Sequence, residues 1–258
     1  MRIPVSIVQM QSGTDIEENF RKSGEFIGKV SASSKLVIFP EYQAYCPDFS
    51  ERIPMVKDSD ITSRFGPYSR DRHLMVNYPE NAGMEKPYNC SATLSGGRIV
   101  AKYRKIHLYD AMKKRESDFY MPGDSLSGKT DLDGITVGTQ ICYDLRFPEA
   151  CRNLRISGAR IVVYQAGWFS GPGKINQWRS MLVSRAIENG CFILASAQCG
   201  PSFTGHSMVV DPYGNVLSEL ENDEGILESV IDTGLIEKYD TDYPLMEQRN
   251  PSSDLIDH

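Results

Sequence analysis

The chain has 258 residues, of which 40% are hydrophobic and 24% charged, and its formal net charge is -6. That balance excludes global disorder, a collagen-like chain and a coiled coil, and it disfavours a diffuse basic surface for nucleic acid or anionic lipid. A globule of this mass buries roughly three quarters of its unfolded surface, enough for a large core without staples.

Residues 3–10 (IPVSIVQM) predict a strand of the mature protein. They do not read as a secretory leader, because Gln9, Gln11 and acidic residues interrupt the apolar run too soon. Residues 15–32 predict an amphipathic helix, with Ile16, Phe20, Phe26, Ile27 and Val30 along one stripe. KLVIFPE (35–41) is a short buried strand ended by Pro40. A second helix is expected over 59–72 and a strand over 73–78. Residues 89–95 and 97–105 flank Gly96-Gly97 and predict a hairpin. The charged stretch 106–131, with Pro122-Gly123, predicts a long functional loop.

The second half repeats the theme. A strand over 133–142 leads into a helix over 147–158, with Pro148 in its first turn and Gly158 near its end. A buried strand over 159–168 precedes a helix over 175–190 stopped by Asn189-Gly190. A strand over 191–198, a hairpin over 206–220 around Asp211-Pro212-Tyr213-Gly214 and a strand over 225–232 follow. From 233 onward the sequence reads as a polar tail. Two similar halves of strand–helix units predict an α/β fold of two mixed sheets covered by helices. One domain is expected over 1–258, its core over 3–232 and its tail, 233–258, available for oligomer contacts.

No window approaches 18 consecutive apolar residues, so no membrane span is expected. Cys46, Cys90, Cys142, Cys151, Cys191 and Cys199 form no CxxC pair. Free thiols in a reducing cytoplasm are the expectation. Four histidines without ligand spacing predict no zinc site.

Four apolar strands end in a reactive or polar residue: Glu41, Lys105, Cys142 and Gln165. Sites in such sheets gather at the carboxyl ends of strands. Taken singly, each has an ordinary structural explanation. A strand-end cysteine is usually a small buried hydrophobe, Glu41 a cap or surface carboxylate, and Lys105 part of a solvated basic strand end. Glu116, in KKRESD, reads by default as an exposed loop charge. Cys142 differs from the other thiols because it lies between a strand and a helix opening, where amide dipoles favour a thiolate.

The strings IFPE (38–41), KYRKIHL (102–108), QICYDLRFPE (140–149), VSRAIEN (183–189) and GHSMVVDPYG (205–214) change that reading. In this order they resemble the nitrilase superfamily of carbon-nitrogen hydrolases, over nearly the whole of 3–232. The resemblance implies a four-layer α-β-β-α sandwich, no metal or organic cofactor, and a homodimer or larger homo-oligomer. It implies catalytic roles for Glu41, Lys105 and Cys142, with Glu116, in ESDFYMPGD, as the match to a second glutamate. It implies a hydrolase that cleaves a non-peptide C–N bond of a small carboxamide through a cysteine thioester, the amidase and omega-amidase-like branch being the nearest.

The chemistry suits those residue types. A thiolate is the strongest side-chain nucleophile once a base removes its proton. Glu41 can be that base, and Lys105 with the Tyr143 N–H can stabilise the oxyanion. Tyr45, Tyr143, Gln165, Trp168 and Phe169 are expected near the pocket, and Arg146 is expected as a structural ion-pair partner. N-carbamoyl hydrolysis on the same site is the alternative. Nitrile hydrolysis fits less well, because CYD stands where nitrilases carry a CWE-type string. A non-enzymatic scaffold has no need of all three residues. A papain-like Cys-His site requires His107 or His206 beside Cys142.

Overall fold

The computed structural model describes residues 1–112, 114–126 and 128–250. The first half runs β1 (Arg2–Gln9), α1 (Ile16–Ile27), β2 (Leu36–Ile38), α2 (Asp58–Phe65), β3 (His73–Glu80), β4 (Tyr88–Ser95) and β5 (Arg98–Arg104). The second runs β6 (Lys129–Leu132), β7 (Ile135–Ile141), α3 (Pro148–Ile156), β8 (Ile161–Ala166), α4 (Lys174–Asn189), β9 (Phe192–Ala197), β10 (Met208–Val210) and β11 (Val216–Glu219). β12 (Gly225–Asp232), α5 (Gly234–Asp242) and α6 (Leu245–Gln248) close the described chain.

The strands form two six-stranded sheets, ordered β12-β1-β2-β3-β4-β5 and β11-β10-β9-β8-β7-β6. Both are mixed. β1, β2 and β3 are parallel neighbours, as are β7, β8 and β9, and the flanking pairs are antiparallel. β12 returns from the second half to pair with β1, so the last strand completes the first sheet.

Side-chain alternation along the strands builds the layers. Val5, Ile7, Leu36, Ile38 and Met75 of one sheet meet Val137, Ile161, Val163, Phe192 and Leu194 of the other in a shared core. Their sequence neighbours Val8, Val37, Phe39, Leu74 and Val76 face outward into a second core with Phe20 of α1 and Ile61 and Phe65 of α2. Val162, Tyr164, Ile193, Ala195 and Met208 likewise face Leu154 of α3 and Trp178, Leu182 and Ala186 of α4. Strands buried on both faces read as near-continuous apolar runs, and that produces the four-layer α-β-β-α sandwich.

Three expectations need correction. The helix expected over 59–72 is α2 plus a separate 3-10 turn at Gly66–Ser69, where Pro67 cannot continue the α hydrogen bonding. The segment 106–131 is not wholly loop, since Glu116–Asp118 forms a 3-10 turn and β6 pairs with β7. The region after 233 is more than a polar tail. α5 docks through buried Ile236 and Tyr239, Tyr239 donates to the Ile187 carbonyl at 2.6 Å, and Arg155 binds Asp240 at 2.7 Å. These anchors, with half-buried Leu235 beside them, span little more than one turn before polar residues resume, too short a stripe to stand out in sequence. The last part of the expected tail, 251–258, lies outside the described residues.

Leu194 is fully buried between the sheets, whereas Leu217 on the edge strand β11 is 44% exposed. Leu194→Ala is therefore expected to cost about 2–5 kcal/mol, and Leu217→Ala within about 0.5 kcal/mol. Urea midpoints at unchanged m-value measure both. Equal shifts would contradict the layer assignment.

Candidate active site

The carboxyl ends of β2, β5, β7 and β8 converge on one buried cluster. Glu41 follows β2, Lys105 follows β5 and Cys142 follows β7, while Glu116 arrives on its 3-10 turn. Glu41 is 0% exposed, and Lys105 and Glu116 are each 1% exposed. Lys105 Nζ donates to Glu41 Oε1 and to Glu116 Oε2, at 2.8 Å in each case. Glu116 is thus a buried ion-pair partner and not the exposed loop charge its neighbours suggest.

Backbone and amide groups fix the carboxylates. Glu41 Oε2 accepts the Gly167 N–H at 2.7 Å, and Gln198 Nε2 holds the Glu41 carbonyl at 2.9 Å. Glu116 Oε2 also accepts the Tyr109 N–H at 2.7 Å. Asn89 Nδ2 bridges Glu41 Oε1 at 2.8 Å and Glu116 Oε1 at 3.0 Å. Asn77 orients Asn89 by donating to its Oδ1 at 2.9 Å. Gly167 must be glycine, because an added Cβ would lie 2.8 Å from the Tyr42 ring.

Cys142 sits on a strained corner. Its φ is +46°, a left-handed value that costs of order 1–3 kcal/mol in a non-glycine residue and collects at functional sites. The corner opens the 3-10 turn Cys142–Arg146. Asp144 ties that turn down, accepting from the Ile141 N–H at 2.9 Å, the Tyr103 hydroxyl at 2.7 Å and the His107 N–H at 3.1 Å. Arg185 of α4 donates to the Leu145 carbonyl at 2.7 Å. The Tyr143 N–H lies in the first turn, where helical geometry leaves donors without an internal partner.

The electrostatics follow from burial and charge count. Two carboxylates share one ammonium. Burial pushes the Glu41 carboxyl up, Lys105 opposes it and Glu116 adds to it, so Glu41 sits above the ordinary carboxylate range. Burial alone would lower Lys105, but Glu116 and Glu41 outweigh it and hold the ammonium well above its usual value. The Cys142 thiol lies beside Glu41 and is pushed well up, first by burial and then by the Glu41 charge. This corrects the expectation of a dipole-stabilised thiolate. A single short turn does not offset burial beside a carboxylate, so the resting sulfur is a thiol that needs a base.

A narrow cavity opens onto Cys142 and Gly167, walled by Tyr109, Tyr143, Trp168 and Phe169, with Arg146 and Lys174 on its lining. Two roomier surface hollows lie elsewhere, one along α1 and α2 and one between α4 and α5. Neither touches the Cys142 cluster, so the smaller cavity is the candidate site.

Of the expected pocket residues, Tyr143, Trp168 and Phe169 line this cavity and Tyr45 and Gln165 do not. Tyr45 packs with Tyr42, Ile53 and Tyr120. Gln165 points between the sheets and donates to the Phe39 carbonyl at 2.7 Å. Arg146 is not the expected ion-pair residue, since its Nη2 binds neutral Gln177 at 2.9 Å. His107 and His206 are bound through Nδ1 to Asp144 at 2.7 Å and Glu219 at 2.8 Å. His107 also stacks on Phe147 at 3.7 Å. Both rings have structural partners, against a papain-like pair. The sequence reading missed Asn89, Tyr109, Gly167 and Lys174. Gly167 carried a signal, a glycine at a strand end; Asn89 carried none, because its partners are distant in the chain.

The carbon-nitrogen hydrolase family model matches residues 4–241. Deaminated glutathione amidase from Rattus norvegicus is 31% identical over 269 residues, covering 96% of this chain and 82% of the rat protein. The 2-oxoglutaramate amidase of Bacillus subtilis (strain 168) is 30% identical over 224 residues, covering 83% of this chain and 85% of that protein. Among solved structures, Saccharomyces cerevisiae Nit3, a member of branch 10 of the nitrilase superfamily, superposes with a TM-score of 0.82 at 25% identity, covering 96% of this chain and 97% of its own. The chain belongs to the carbon-nitrogen hydrolase family.

Lys105→Met would leave two buried carboxylates without their cation, a change expected to cost about 3–5 kcal/mol at neutral pH. Without Lys105 the folded-state Glu41 carboxyl rises further above its unfolded value. Such groups contribute stability at pH below the unfolded value and lose it as pH rises. The deficit against wild type should therefore grow from pH 4 to pH 7 in urea titrations. A deficit independent of pH would contradict the assigned charges.

Proposed function

We propose that the protein hydrolyses small linear carboxamides to acid and ammonia, with Cys142 as nucleophile, Glu41 as base, Lys105 as oxyanion donor and Glu116 as a positioning group. One observation carries this reading: the Cys142 thiol, open to a cavity, lies beside a buried carboxylate whose pKa is raised toward that of a proton acceptor. The amidase names of relatives at 30–31% identity support it.

In the proposed cycle the thiol proton passes to Glu41 as sulfur attacks the carbonyl carbon. Lys105 has three N–H donors and gives two of them to Glu41 and Glu116. The third, with the Tyr143 N–H, meets the developing oxyanion. The C–N bond breaks as Glu41 returns the proton to nitrogen, and ammonia leaves a thioester on sulfur. Glu41 then takes a proton from water, hydroxide attacks the thioester, and the proton goes back to sulfur as the acid departs. Tyr143 and Trp168 flank the bound amide. Glu116 keeps Lys105 and the segment at Tyr109 in place.

Ammonia release across aliphatic amides, omega-amides and N-carbamoyl compounds, read beside intact-protein mass, is the test. Wild type with a slow amide should carry an acyl adduct on Cys142. Glu41→Gln should show neither adduct nor ammonia, a loss of about 10²–10⁴-fold. Near-normal ammonia release from Glu41→Gln, or an adduct on Cys151 or Cys191, would sink the assignment. Turnover of carbamoyl compounds alone would favour the ureido alternative.

The reading extends to a cytoplasmic homodimer or larger homo-oligomer. Ile156 at the end of α3 and Ile187 on α4 are 42% and 44% exposed and offer apolar surface for pairing. Sedimentation should give a mass that is a multiple of 28.9 kDa, and a monomer at micromolar concentration would exclude the pairing.

A further inference from the structure

Hydrogen-bond donors are shared unequally between the two buried carboxylates. A carboxylate offers about four lone-pair sites. Glu116 meets four donors: Lys105 Nζ at 2.8 Å and the Tyr109 N–H at 2.7 Å on Oε2, Asn89 Nδ2 at 3.0 Å and the Tyr42 hydroxyl at 3.4 Å on Oε1. Among the described residues Glu41 meets three: Lys105 and Asn89, each at 2.8 Å, on Oε1, and the Gly167 N–H at 2.7 Å on Oε2. One acceptor site of the pair is left over, and it is on Glu41 Oε2.

The direction of the Asn89 amide follows from a chain that begins at the residue after Glu41. Tyr42 has a φ of +61°, a strained value for a residue other than glycine. Its N–H donates to Asn77 Oδ1 at 2.7 Å. A backbone N–H can only donate, so the Asn77 oxygen must face it and the Asn77 Nδ2 must face away, onto Asn89 Oδ1 at 2.9 Å. The Asn89 oxygen is thereby occupied, and its Nδ2 is turned to both carboxylates. Neither amide can turn over without setting like poles against each other. Asn89 is therefore a fixed double donor that accepts nothing from Glu41 or Glu116. Tyr42 closes the last site on Glu116 with its hydroxyl, which has no other partner among the described residues.

Resting on the amide-hydrolase reading, we infer that Asn89 and Tyr42 are positioning residues that decide which carboxylate takes the thiol proton, with Asn77 as the orienter of Asn89. Their donors fill Glu116 and Glu41 Oε1, so the S–H bond of Cys142 breaks as an O–H bond forms on Glu41 Oε2. The same proton goes on to the leaving nitrogen. Glu116, with every site filled, has no room for it.

A donor on a carboxylate favours the charged form. Losing the Asn89 donor therefore raises the pH at which Glu41 ionises and becomes a base. Besides Asn89, Glu41 is faced by Lys105 from the end of β5, Glu116 and Tyr120 from the segment of the 3-10 turn, Cys142 from the end of β7, and Tyr42 and Cys46 on its own segment. Asn89→Ala and Asn77→Ala leave all of these in place and change no charge.

The test follows kcat/KM for a small amide against pH, beside the rate at which iodoacetamide alkylates Cys142, which needs no turnover. Asn89→Ala should move the acid limb of both profiles upward by about one to two pH units, the worth of a hydrogen bond to a charged group. Asn77→Ala should move it the same way by less. The double variant should move it no further than Asn89→Ala alone, because Asn77 acts through Asn89. Tyr42→Phe removes one oxygen and keeps the ring, and it should lower kcat roughly 2- to 12-fold with KM unchanged. A loss of stability alone scales the profiles without moving their limbs. Limbs unmoved in both single asparagine variants overturn the proposal, as does a double variant whose shift is the sum of the two. Unchanged kcat in Tyr42→Phe overturns the part assigned to Tyr42. Absent ammonia release with the alkylation limb still shifted in Asn89→Ala would refute amide hydrolysis and leave the proton assignment standing. Ammonia release with unshifted limbs would do the reverse.

Discussion

Lys105 reaches between Glu41 and Glu116, 2.8 Å from each, in a place water barely reaches. Burying three charges is costly unless every donor and acceptor is matched. The neighbouring structure supplies those matches: Asn89 across both carboxylates, the Gly167 N–H on one and the Tyr109 N–H on the other. Asn77 holds Asn89, and Gln198 holds the Glu41 backbone. Because a half-satisfied buried network is worse than an apolar core, the polar shell is fixed as firmly as the cluster. Burial, together with the uneven charge count, explains why a carboxylate here can take a proton and why the sulfur beside it rests as a thiol.

The cluster exists only where the two sheets meet. Glu41 and Lys105 extend from the first sheet, and Cys142 and Gly167 from the second. Gln165 ties β8 to the Phe39 carbonyl, and Ser196 ties β9 to the Val8 carbonyl at 2.6 Å. These bonds set the offset between sheets, and with it the separation of thiol and carboxylate. A small misplacement of reacting groups costs large factors in rate. The apolar layer between the sheets therefore serves the chemistry as well as stability.

The fold was legible because its code is local. Runs such as KLVIFP and RIVVY, bounded by glycine, proline and periodic helices, carry strand and helix signals within a few residues of themselves. Lys105 and Cys142 stand at the ends of such runs, and that position singled them out. Asn89 lies near the start of β4, and its bond to Glu41 spans 48 residues, so no periodicity registers it. Gln165 shows the converse. It ends its strand run as Cys142 does, but its side chain turns inward between the sheets. The strand-end rule locates a neighbourhood, and side-chain direction decides membership. α5 escaped because its apolar stripe is short: Leu235, Ile236 and Tyr239 cover little more than one turn, too little to register as a helical period.

The sign of charge changes along the cavity, from an excess carboxylate beside Cys142 to cations at Arg146 and Lys174. Hydrolysis in the proposed cycle creates a carboxylate from a neutral amide, and it does so at the negative end. Two unit charges 4 Å apart repel by about 4 kcal/mol at an effective dielectric constant of 20. The substrate amide experiences no such repulsion, because it is neutral. The inner charge therefore tolerates the substrate and works against the product. Glu116 contributes twice, since it adds to the inner charge and, through its turn and the Tyr109 N–H, positions one wall of the pocket.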